Sequence, residues 1–151
     1  MNIIQSGEIL GARVEGLDLS QPLSPAEFVE IEQALGRFGV LSYPKQVLTS
    51  LQLKQFAERF GQLEINVANA YQEPGLPEVM ILSNKVGPDG KPLGLSDAGQ
   101  DWHTDMSYNP LPPRASLLYA LEVPPDGGNT GFLNMMDHNR LLSKRESKTE
   151  A

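Results

Sequence analysis

The chain has 151 residues, 40% of them hydrophobic, and a net charge of −7. That is enough for one domain with a core and too few for two ordinary ones. The acidic balance argues against a nucleic-acid groove, which needs clustered Lys and Arg, and no apolar run approaches the roughly 20 residues that span a membrane. There is no cysteine, hence no disulfide framework and no thiolate chemistry. The first five residues lack the basic and apolar regions of a secretory signal, so the expected compartment is the cytoplasm.

In chain order, residues 13–17 read as a short strand. Ser24, Pro25 and Glu27 then form a capping box with proline at the first helical position, where its missing N–H costs nothing. Phe28, Ile31, Leu35 and Phe38 follow at helical spacing, and Gly39 supplies the stop. Residues 40–43 read as a strand ended by Pro44. Thr49 and Gln52 open a second helix, whose inward face is Leu53, Phe56, Ala57 and Phe60, closed by Gly61. Residues 79–82 form a short apolar run, strand-like at that length. Residues 116–123 and 130–135 read as strands flanking the turn-rich 124–128. Between Ser83 and Asp101 lies a long segment rich in glycine and proline, the kind of loop that is usually functional or mobile. With helices first and strands later, the expected class is α+β with a β-sandwich or jelly-roll portion.

The chemistry centres on His103 and Asp105. On an extended backbone, residues i and i+2 point to the same side. The pair therefore offers one imidazole nitrogen and one carboxylate oxygen to a single metal ion, two thirds of the two-His, one-carboxylate triad that holds non-haem Fe(II). Alone the pattern is weak, since a solvated turn with a capping carboxylate has the same spelling. Trp102 beside it is read as packing, and Arg114 as a surface residue.

The setting adds specificity. The run from Asp101 to Tyr108, the prolines at 110, 112 and 113, a Leu-rich strand, and Gly127-Gly128-Asn129-Thr130 follow one another in order. With Gly39-Val40-Leu41 and the helix ending Phe56-Ala57-Glu58-Arg59-Phe60-Gly61 upstream, this order resembles the taurine dioxygenase-like family of Fe(II)/2-oxoglutarate oxygenases over roughly residues 8 to 136. The resemblance implies His103 and Asp105 as the first two iron ligands. It implies Thr130 as the threonine whose hydroxyl contacts the 2-oxoglutarate carboxylate, although as a sequence feature Thr130 is an ordinary strand residue after a Gly-Gly turn. It also implies hydroxylation of a small organic substrate by O₂, coupled to decarboxylation of 2-oxoglutarate to succinate. The expected fold is α+β: N-terminal helices with the opening strands of a double-stranded β-helix (jelly-roll) core, incomplete in this chain.

Departures from the family pattern shape the remaining expectations. The second histidine and the 2-oxoglutarate arginine have no match; the only other histidine, His138, is expected to be solvent-exposed. The family-like part, residues 1–136, is expected to give way to a polar, disordered tail at 137–151. A truncation or reading-frame change would produce such a shift, and the coding DNA past residue 135, read in the other two frames, tests that. Leu117, Leu118, Leu121, Phe132 and Leu133 would each contribute roughly 1.5–3 kcal/mol in an intact core. Without it the chain is expected to be marginal, aggregation-prone or dependent on a homo-oligomer or completing chain.

Two other functions compete with the dioxygenase: an inactive fragment or partner-dependent interaction module, and a cupin-like protein holding another divalent ion with His103, Asp105 and His138. Substrate selection is expected to rest on residues 66–71 and 83–101. Lys85 and Lys91 are the only cations there, so no basic cluster supports taurine itself.

Overall fold

The structure, a computed structural model, describes residues 1–67, 69–96 and 98–135. The expected tail at 137–151, and with it His138, lies outside the described residues. The chain forms two compact units, one built from residues 1–46 with the described residues from 122 onward, the other from Val47–Leu121.

The first unit opens with β1 (Asn2–Gln5) and β2 (Ala12–Glu15), paired antiparallel from Asn2↔Glu15 to Gln5↔Ala12. The helix α1 (Pro25–Phe38) follows, and β3 (Leu41–Ser42) then pairs parallel with β2. The sheet order is β1-β2-β3. Strands therefore precede the first helix, correcting the expectation of helices first. β1 escaped sequence reading because Asn2-Ile3-Ile4-Gln5 is too short to show a period of two, and its partner across the turn is what makes it a strand.

Alternation along β2 buries Ala12 and Val14 and leaves Arg13 exposed. Phe28, Ile31 and Ala34 of α1, with Leu19 in the loop between β2 and α1, complete the buried set of this unit. Ser24 caps α1 as expected: its hydroxyl accepts from Glu27 N–H at 3.2 Å, and the Glu27 carboxylate accepts from Ser24 N–H at 2.8 Å. Gly39 ends the helix at φ 69°, donating to Leu35 O at 2.8 Å. That left-handed conformation calls for glycine, whereas a Cβ there would need only the end of the Leu10 side chain, 2.7 Å away, to shift.

The second unit holds α2 (Ser50–Glu58), capped by the expected Thr49–Gln52 box, and a small sheet of β4 (Gln72–Glu73) and β5 (Leu76–Met80). Phe56 is its one buried hydrophobic side chain among the described residues, set edge-on to Phe60 with ring centres 5.5 Å apart. Lys54 on α2 pairs with Glu58 and reaches Glu78 on β5 at 3.5 Å, tying helix to sheet.

The glycine-rich segment after β5 is more ordered than its composition suggests. Ser83 N–H donates to Leu95 O and Leu95 N–H to Ile81 O, at 3.1 and 3.0 Å. Between these contacts, Leu93–Lys85 and Gly87–Lys91 backbone bonds close a tight turn at Asp89-Gly90. Gly94 is required here, because a Cβ would lie 2.7 Å from Ile81 O and 2.8 Å from Ser83 N.

Residues 116–123 and 130–135 do not form paired strands, contrary to the sequence expectation. Residues 115–120 still alternate between half-buried and exposed, the period of an extended chain. What is absent among the described residues is a neighbouring backbone to bond with, so Leu118, Leu121, Phe132 and Leu133 are 57–80% exposed. No described helix is long and apolar enough to cross a membrane.

Burial separates the expected effects of two substitutions. Ile31→Ala removes a fully buried side chain and is expected to cost about 2–5 kcal/mol. Leu118→Ala, at a 68% exposed position, is expected to stay within about 0.5 kcal/mol. Urea titration followed by circular dichroism measures both, and equal effects would contradict this assignment of the core.

Candidate metal half-site

The second unit brings His103 and Asp105 together. His103 follows the ordered turn region and a depression of about 340 Å³ lined by Gly99, Gln100, Asp101 and His103 itself. His103 is in irregular backbone, and Asp105 begins a turn closed by Asn109 N–H donating to Met106 O at 3.0 Å. Met106 takes φ 49°, a left-handed conformation uncommon for a residue with a side chain, so the chain bends sharply just past the carboxylate.

His103 Nε2 lies 3.1 Å from Asp105 Oδ1. Each group is held from behind as well. His103 Nδ1 is 2.8 Å from the Asp101 carbonyl oxygen, which only accepts, so Nδ1 carries the proton and donates. That leaves Nε2 as the nitrogen facing the carboxylate. The other carboxylate oxygen, Oδ2, accepts from the Ser116 hydroxyl at 2.5 Å.

This donor set fits a divalent metal ion. Ligand atoms about 2.0–2.2 Å from one ion and at right angles to each other stand about 3 Å apart, which is the separation seen. A metal-binding imidazole is ordinarily oriented by donating its second N–H to a carbonyl or carboxylate, as Nδ1 does here. Among the described residues no third His, Asp or Glu joins the pair.

The neighbours of His103 also favour its protonated form, and that proton must leave before Nε2 can hold a metal. The Asp101 carbonyl above all holds the His103 pKa above its ordinary 6.5; desolvation comes next and opposes it, and the charge and hydrogen bond of Asp105 add smaller raising contributions. Both groups are about half exposed, so the gain in folding stability is small. Its sign is fixed: the ion pair contributes below the ordinary histidine value and is lost as pH rises through the elevated one.

Thr130 is exposed and belongs to the first unit, whereas His103 and Asp105 belong to the second. Arg114 is exposed, as expected. Trp102 is not packing: it is 74% exposed. No described layer covers it, so it stays open to solvent. Sequence reading missed Asp101, which acts through its backbone carbonyl and so leaves no mark in residue type. It also missed Ser116, the one polar residue opening an otherwise apolar run, a signal that was available.

The chain matches the family described as "Taurine catabolism dioxygenase TauD, TfdA family" over residues 3–148. It belongs to that family. The match begins before residue 8 and continues beyond residue 136, so it exceeds the span recognised from motifs. Pentalenolactone F synthase of Streptomyces avermitilis is 35% identical over 132 residues, covering 85% of this chain and 43% of that protein. The alpha-ketoglutarate-dependent 2,4-dichlorophenoxyacetate dioxygenase of a Burkholderia species is 36% identical over 134 residues, covering 82% and 44%. The chain thus spans about half the length of the curated relatives it matches. Among solved structures, a taurine dioxygenase from Burkholderia xenovorans aligns with TM-score 0.48 at 29% identity, covering 50% of this chain and 27% of the other.

In the metal-free chain, His103 is expected to titrate above 6.5, followed by NMR of its ring protons. Asp105→Asn should bring the value part of the way down, since the Asp101 carbonyl remains. An unchanged value in Asp105→Asn would contradict the pairing of the two side chains.

Proposed function

We propose that the chain carries the His-x-Asp half of the iron site of an Fe(II)/2-oxoglutarate-dependent dioxygenase that hydroxylates a small organic substrate. The observation that carries this reading is the 3.1 Å approach of His103 Nε2 to Asp105 Oδ1, each group braced on its far side. Family membership supports it, as do relatives named as alpha-ketoglutarate-dependent dioxygenases. When bound, iron with 2-oxoglutarate supplies the oxidising chemistry that uses O₂.

The chain's own residues would do the positioning. His103 presents Nε2 because Nδ1–H is committed to the Asp101 carbonyl. Asp105 presents one oxygen and contributes a negative charge that offsets part of the metal's. Thr130 would contact the 2-oxoglutarate carboxylate through its hydroxyl. The substrate would enter near the Gly99–Asp101 backbone that lines the depression beside His103. A jelly-roll core in which residues 116–123 and 130–135 gain strand partners is part of this reading, as is a cytoplasmic setting for a chain without cysteine.

A second reading has its own support: the exposed Leu118, Leu121, Val123, Phe132 and Leu133, outside any strand among the described residues, favour a module that folds fully only against a completing chain.

Anaerobic addition of Fe(II) and 2-oxoglutarate separates the two. A visible charge-transfer band is expected, abolished in His103→Ala and in Asp105→Ala. A folded chain that gives no band would overturn the dioxygenase half-site and favour the interaction module.

A further inference from the structure

Ser116 is placed by the same period of two that fails to make a paired strand. Along residues 115–120, Ala115, Leu117 and Tyr119 are half-buried, while Ser116, Leu118 and Ala120 are exposed. The phase is fixed from the half-buried side. The Tyr119 hydroxyl accepts from Leu48 N–H at 3.0 Å, just before the Thr49 cap of α2. With Tyr119 turned towards α2, the alternation turns Ser116 to the opposite face. There its hydroxyl donates to Asp105 Oδ2 at 2.5 Å, across eleven residues of sequence.

We propose that Ser116 is a positioning residue for the metal-binding carboxylate: its hydroxyl occupies Oδ2 so that Oδ1 alone is presented beside His103 Nε2. The inference rests on the half-site reading above. At 2.5 Å the contact has the length of a charge-assisted O–H···O⁻ bond, the strong kind. A carboxylate on an exposed turn would otherwise rotate about its side-chain torsions and offer either oxygen or both. Holding one oxygen selects single-oxygen ligation and removes part of the ordering cost of binding. Ser116 itself never touches the metal. Its link runs from Leu48, just before the cap of α2, through Tyr119 and residues 116–119 to Asp105.

The test is Mn(II) affinity of the full 151-residue chain, read from the loss of the free-ion electron paramagnetic resonance signal. Ser116→Ala is expected to weaken binding roughly 10-fold, at the low end of the effect of removing a group that orients a ligand. Ser116→Thr and Ser116→Val have the same shape and differ in the hydroxyl, so Thr should bind within about twofold of wild type and Val as weakly as Ala. In an Asp105→Ala background, Ser116→Ala should change nothing further, because its effect passes through Asp105. Thr and Val binding alike, Ala binding like wild type, or an additive loss in the Asp105→Ala background would each overturn the positioning role while leaving the half-site standing. Wild type that binds Mn(II) no better than His103→Ala overturns both.

Discussion

The site depends on one contact, the 3.1 Å approach of an imidazole nitrogen to a carboxylate oxygen two residues away. Two half-exposed groups in water gain little from each other by charge alone. What makes the approach usable is that each partner is tied down on its far side, His103 by the Asp101 carbonyl and Asp105 by the Ser116 hydroxyl. Four groups from two segments thus form a single chain of hydrogen bonds with its open edge at Nε2 and Oδ1. That edge has the spacing of two adjacent ligands on one divalent ion.

The supporting structure of the second unit is slight, and its few fixed points matter more for that reason. Phe56 is the buried anchor of α2, Lys54 joins the helix to β5 through Glu78, and the Ile81–Leu95 pairing returns the chain towards the ligand segment. Gly94 permits that return by letting two backbones meet at a distance no side chain allows. The first unit is differently built, with β2 and α1 burying Ala12, Val14, Phe28, Ile31 and Ala34 around a three-stranded sheet. Thr130 belongs to that unit.

What was legible in the sequence was what local chemistry determines. The two capping boxes, the Gly39 stop and the apolar stripe of α1 depend on residues within a few positions of one another, and the structure has them where the sequence puts them. The i, i+2 geometry of His103 and Asp105 is local too, and it holds. What was not legible depends on partners far along the chain. β1 exists because β2 pairs with it; residues 115–120 keep the alternation of a strand, but no strand forms over 116–123 or 130–135 among the described residues. Trp102 looked like core because tryptophan usually is, but burial requires a second surface, and none is described over it. Family membership entered through an ordered set of motifs, a kind of information no single spacing carries.

The most direct measurement is a crystal structure of the chain grown with Mn(II) and read by anomalous scattering. The half-site predicts an anomalous peak about 2.2 Å from both His103 Nε2 and Asp105 Oδ1, with Ser116 still bonded to Oδ2. Ordered His103 and Asp105 with no peak between them, or a peak held by other residues, would contradict it.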